Sequence, residues 1–365
     1  MFEKLVSEQA RHGAEVFLER CSDQLTGGVD RLLETLLEEG VMSPLAWEAA
    51  WGDVFRAVRE PQGCQPSSAA ALALWLGACG VRGDWSLSLE TAVRLRWDDW
   101  LLPPAEQIEV RSQGTGVEIV CRVGGTAVPV TLVPVSGCWH ATGSGRRLDS
   151  FGSTGGRITL LPARALTPEM RSQRALQGST ISTDVDEAAR LGLQSAIDFV
   201  QSFAPEYLSW IHRVLRHVVP VEAPPRIFTS GSSGDMPGLI QVSLNMQLAQ
   251  LGETFVHEGS HQYFEILNRL GRMEDGTDLN LYYSPLKNIG RPLHFILVAF
   301  HAVGNILLYF RSCRANGVLD EGYIERNEAT FASHAGQLAQ PLLGNRALTP
   351  LGTAIFEPLW ERLIK

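Results

Sequence analysis

The sequence predicts an α+β protein that is mainly α-helical, on three observations. Apolar residues recur at helical spacing through the first hundred residues. A Val/Ile/Thr-rich stretch broken by glycine pairs follows. Long periodic segments then resume from Asp184 to the C-terminus. These divide the 365 residues into a helical N-terminal region (1–106), a small β-rich middle region (107–165) and a helical C-terminal domain (184–365).

In the N-terminal region, GVDRLLETLLEE and LAWEAAWGDVFRAVRE carry the helical period, and Ser43-Pro44 is a helix start, because proline is tolerated in the first turn. SSAAALALWLGACGV, from Ser67, reads as a buried helix whose small residues allow close packing. In the middle region, IEVRSQGTGVEIVCRVGGTAVPVTLVPV reads as short strands and turns, and RITLLPA, from Arg157, as one more strand. The loop between them, SGCWHATGSGRRLDSFGSTGG, lacks the spacing of a phosphate cradle and reads as turns.

The C-terminal region opens on DVDEAARLGLQSAIDFVQSFAPEYLSWIHRVLRHVV. This is a long helical stretch that Asp184 would cap and Pro205 would break. APPRIFTSGSSGDMPGLIQVSL reads as strand, glycine-serine turn and strand, and a helix starts near Met246. RPLHFILVAFHAVGNILLYFRSCRANG is a further helix closed by Gly317, and a last helical pair runs from about Gly322. Residues 293–310 approach a bilayer span in length, but His294, His301 and Asn305 are costly in lipid, so a buried helix is expected and no membrane partner.

Composition narrows the function. Hydrophobic residues make up 45% and charged residues 19%, enough to bury a sizeable core. A net charge of −9 and the lack of a basic tract argue against a nucleic-acid partner. Six scattered cysteines with no C-x-x-C pair fit reduced thiols and a cytoplasmic location. The N-terminus lacks the apolar core of a signal peptide.

The chemistry concentrates in GETFVHEGSHQYFEIL, which contains His257-Glu258-Gly259-Ser260-His261. Positions i and i+4 share one helix face, so His257 and His261 can point two imidazoles at one ion, zinc or ferrous iron. Glu258 lies about 100° round the helix, close enough to touch a metal-bound water, and is the candidate catalytic residue. The C-terminal domain is therefore expected to bind metal. Candidate third ligands are Glu265, Glu274, Asp275 and Asp278, with a better set on the 291–310 helix. There Arg291, His294, His301 and Asn305 make one polar stripe on a greasy helix.

Together, FVHEGSHQYFEIL, LYYSPLKNIGRPLHFILVAFHAVGNILLYF and LLGNRALTPLGTAIFEPL resemble the His-Glu-x-x-His peptide-modification proteins found beside genes for ribosomally made peptides. That family includes iron(II)- and 2-oxoglutarate-dependent peptide β-hydroxylases. The resemblance covers about residues 184–365. It implies iron(II) held by His257, His261 and a third ligand, His301 in preference to His294. It also implies that Arg291 grips the far carboxylate of 2-oxoglutarate, with Tyr283 or Ser284 as hydroxyl helpers. The implied partner is a ribosomally synthesised precursor peptide. Two other expectations compete. One is a zinc metallopeptidase with Glu258 as general base. The other is a non-catalytic peptide-binding scaffold.

Overall fold

The computed structural model of the chain describes residues 2–21, 51–52, 54, 66–78, 82–112, 116–135, 138–167, 170–171, 180–318 and 322–365. Helix α1 (Phe2–Cys21) and helix α2 (Pro66–Ala78) come from the N-terminal region. The segment GVDRLLETLLEE, the Ser43-Pro44 start and most of LAWEAAWGDVFRAVRE lie outside the described residues.

Strands begin earlier than the composition shift suggests. Strand β1 (Gly83–Val93) buries Trp85, Leu87 and Leu89 on alternate positions, the period of a half-buried strand. The short strands β2 (Arg96–Trp97) and β3 (Trp100–Leu101) follow, then β4 (Ala105–Ser112), β5 (Val117–Val123), β6 (Thr126–Val135) and β7 (Cys138–Gly143). An antiparallel sheet has the order β1-β4-β5-β6-β7. Gly124 and Gly125 join β5 to β6 with φ of 55° and 79°, left-handed at both central positions as a tight hairpin needs. Helix α2 packs on β1, and the Trp139 indole donates to the Ala78 carbonyl at 3.1 Å.

The chain next forms β8 (Arg146–Arg147), which pairs with β3, then β9 (Ser150–Ser153), β10 (Gly156–Leu160) and β11 (Thr180–Ile181). Helix α3 (Glu187–Phe203) is capped by Asp186, whose carboxylate accepts from the Ala189 amide at 2.7 Å. Pro205 breaks it and opens α4 (Pro205–Val214). Strands β12 (His217–Glu222), β13 (Ser230–Ser232) and β14 (Leu239–Ser243) complete a mixed sheet of order β13-β14-β12-β10-β9, with β11 also on β12. Both β10 and β14 run parallel to β12, which buries His217 through Val221 on both faces.

Helix α5 (Leu248–Leu270) carries the His-Glu-x-x-His run. The hairpin β15 (Tyr282–Ser284) and β16 (Ile289–Arg291) leads into α6 (Leu293–Ala315), and α7 (Tyr323–Ala339) and α8 (Pro350–Ile364) close the chain. Among the described helices, α6 alone is long and apolar enough to cross a membrane, with mean hydropathy 1.8, and 67% of that window is buried. It packs on α5, α7 and α8. On α5, Gly252 leaves room for Tyr309, whose hydroxyl donates to the Ala249 carbonyl at 3.0 Å.

The expected mainly helical α+β protein with a small β region is corrected to a mixed α/β architecture. Eight α-helices and sixteen strands in four sheets occur among the described residues, and strands run from Gly83 to Arg291. Two segments account for the difference. The alternation in Trp85-Ser86-Leu87-Ser88-Leu89 is a strand signal inside the region expected to be helical. The run His217-Val218-Val219-Pro220-Val221 sits at the end of a helical period, yet forms the buried interior strand of the mixed sheet, where continuous apolar sequence is required.

Candidate metal centre

Helix α5 has two working faces. One holds the hairpin β13–β14. Ser230 and Ser232 donate their hydroxyls to the two carboxylate oxygens of Glu258, each at 2.7 Å. One turn on, the Gln262 carboxamide accepts from the Gly238 amide at 3.0 Å and donates toward the carbonyls of Ser233, Met236 and Leu239 at 3.3–3.4 Å. A further turn places Glu265 against Gly234, and Arg269 donates to the Gly234 carbonyl. Glu258 and Gln262 are 3% and 1% exposed, so these bonds satisfy groups that would otherwise be buried without partners.

The adjacent face carries the histidines. The Nε2 atoms of His257 and His261 stand 3.1 Å apart, with ring centroids 4.8 Å apart and planes at 75°. Burial and the neighbouring His257 push the His261 pKa below its ordinary value, so the ring is neutral at neutral pH, as a metal ligand must be. One turn before His257, Glu253 accepts a hydrogen bond from the Tyr323 hydroxyl of α7. Burial raises its pKa, against the pull of Tyr323 and of His257.

The polar stripe on α6 is divided among different partners. His301 faces the motif: burial and the proximity of His261 push it down to about 4, and its Nδ1 is buried with no hydrogen-bond partner among the described residues. His294 packs edge-on to Phe264 at 5.5 Å and Phe295 at 5.4 Å, and Phe264 also lies 6.0 Å from His301. Asn305 donates to the His301 carbonyl and receives the Tyr207 hydroxyl on its own carbonyl. Among the described residues, no third His, Cys, Asp or Glu joins the His257–His261 pair within ligand distance. The pair fits a divalent ion by donor chemistry, and His301, a neutral imidazole with a backbone hydrogen bond to Ser260 and an unpartnered Nδ1, is the candidate on α6 to complete it.

The remaining candidates fall into separate surroundings. The Arg291 guanidinium lies 4.4 Å above the Phe295 ring, at the mouth of α6. The Tyr283 hydroxyl donates to Asn288 at 2.9 Å on an exposed hairpin, and Ser284 is fully buried with an unpartnered hydroxyl. Asp275 accepts from Thr277, and Glu274 from the Gly276 amide, as local turn anchors. Asp278 accepts from Asn345, Tyr282 and Asn280, which hold its carboxyl down at about 2. The residues that spacing alone did not reveal are Ser230, Ser232, Glu253 and Tyr323. The Ser-Gly-Ser alternation of TSGSSGD, two residues of one face in a short strand, was the available signal for the first two. No protein-family model matches the chain, and no curated protein matches it in sequence.

Proposed function

We propose that the protein is a cytoplasmic iron(II)- and 2-oxoglutarate-dependent oxygenase that hydroxylates the β-carbon of a side chain in a ribosomally synthesised precursor peptide. The observation that carries this reading is the division of labour on α5. Two imidazoles converge on one point, while the intervening Glu258 is turned away into two serine hydroxyl bonds. A hydrolytic zinc site needs that glutamate as a base on the metal-bound water. Here both of its oxygens are engaged as an anchor for β13.

His257 and His261 would hold the iron and His301 would complete the protein ligands, leaving open positions for a chelating co-substrate and dioxygen. The bound iron would couple oxidative decarboxylation of 2-oxoglutarate to insertion of one oxygen atom into a C–H bond. The balance is peptide C–H, 2-oxoglutarate and O2 going to peptide C–OH, succinate and CO2. Arg291 is the cation suited to the far carboxylate of the co-substrate, because its fork bonds a carboxylate at two points. Phe264 of α5, 1% exposed and in ring contact with His294 and His301 of α6, keeps water from this part of the α5–α6 interface.

The test is direct. Protein purified anaerobically and assayed for metal, for succinate from 2-oxoglutarate and for a one-oxygen mass gain on a co-expressed precursor peptide would give all three. Zinc content with peptide cleavage and no succinate would replace this reading with the metallopeptidase.

A further inference from the structure

Strand β13 ends its sheet, and its register fixes where its backbone points. The Ser243 amide donates to the Thr229 carbonyl at 2.9 Å, so Thr229 and Ser243 form a hydrogen-bonded pair. The pairing continues as Ser230 with Val242, Gly231 with Gln241 and Ser232 with Ile240. Bonded and non-bonded pairs alternate in an antiparallel ladder. Gly231 therefore turns its N–H and C=O toward β14. Ser230 and Ser232 turn theirs outward, to a side where no other described strand pairs.

The side chains of the same two residues point at α5 and reach Glu258, one position along from His257. Exposed Ile227 and Phe228, 56% and 45% accessible, precede the edge. A half-buried edge that no other described strand pairs, with apolar side chains at one end and an anchor beneath it, is a template for strand addition.

We infer that the open edge of β13 is the docking line of the peptide substrate: the outward N–H and C=O groups of Ser230 and Ser232 pair with an extended segment and aim its alternate side chains at the His257–His261 pair. This rests on the proposed function for its substrate class and adds the place and the backbone-directed mode of binding. Successive side chains of a strand alternate, so a residue paired beside Ser230 sends its side chain to the same face as Ser230, the face of α5. The backbone is held by the sheet while the side chain is presented, the arrangement that side-chain chemistry requires. Selectivity then comes from alternate side chains, and the backbone bonds tolerate many sequences.

The test uses the full-length metal-loaded protein and a pool of random-sequence decapeptides. Hydrogen exchange at the Ser230 and Ser232 amides should slow when the pool is added, and a pool with N-methylated backbones should not slow it. Ser232→Pro removes the outward amide without touching the ladder to β14, and proline is tolerated on edge strands. Ser232→Ala removes only the hydroxyl. The proline variant should bind the pool about fivefold more weakly than the alanine variant, the effect of one backbone hydrogen bond. Cobalt(II) binding and thermal unfolding confirm that both variants are folded.

Equal affinity of the two variants, or protection elsewhere but not at β13, overturns the inference. So does a concentration-dependent dimer that Ser232→Pro abolishes, since the edge would then serve a second copy of the chain. If Ser232→Pro hydroxylates a co-expressed peptide with unchanged KM, the docking line falls and the oxygenase stands. If peptides protect β13 but no succinate forms, the oxygenase falls and the docking line stands.

Discussion

The Nε2 atoms of His257 and His261 face each other at 3.1 Å across one turn of α5. Two imidazole lone pairs at that separation repel unless one nitrogen carries a proton or a cation sits between them. The pair accommodates either, and Glu258 and Gln262, bonded to the β13–β14 hairpin, hold the adjacent face of the same two turns.

His261→Ala leaves one imidazole of the α5 pair. Loss of a supporting partner to a ligand typically costs 10- to 100-fold in metal affinity, so loss of the ligand itself should cost more than about 100-fold. Cobalt(II) titration followed by its visible spectrum measures this. Unchanged binding would mean that the metal lies elsewhere.

Glu258→Gln keeps the shape and removes the charge. A general base contributes about 10²–10⁴ in rate, so a hydrolase would lose that factor. As an anchor bonded to Ser230 and Ser232, the glutamine should instead lower stability by about 1.5–3 kcal/mol while succinate formation falls less than tenfold. Urea unfolding and coupled turnover separate the two outcomes.

Gly252→Ala puts a methyl of α5 against the Tyr309 hydroxyl of α6. Overpacking of this kind costs about 1–3 kcal/mol. The midpoint of urea unfolding should fall accordingly, and the double variant with Tyr309→Phe should recover part of the loss.

Stability should decline in mild acid. Burial lowers the His217 pKa well below its ordinary 6.5, and burial with Arg216 nearby lowers that of His212. Each folded-state value lies below the unfolded one, so below that ordinary value the unfolded chain binds protons that the folded chain refuses. The stabilisation is complete above about pH 6.5 and is lost as pH falls, with a slope up to about 1.4 kcal/mol per pH unit for each such histidine. A thermal-unfolding series from pH 8 to pH 5 checks the sign; a flat profile would show that these rings titrate normally.

The helices near the site were legible from the i and i+4 histidines of α5, from an apolar run in α6 too long for a strand, and from Pro205, which separates α3 from α4. The strands were less so. In β1 the alternation spans three apolar residues, too few to outweigh a helical neighbourhood. In β12 both faces are buried, so no alternation exists to read. The histidine pair was legible from i and i+4 spacing, a local property. The contacts of Ser230 and Ser232 with Glu258 depend on the sheet register, which joins residues 26 and 28 positions apart and leaves no local periodicity.

The parallel ladder between β10 and β12 makes the C-terminal half dependent on sequence well upstream of it. Cutting the chain at residue 184 would strip β12 of its neighbour along Thr159 and Leu160 and uncover Val218, an interior position, to water and to other chains. A shortened version intended for crystallography or engineering should therefore retain Ser150 to Leu160 and the β11 strip, or it will emerge with a sticky flank and self-associate.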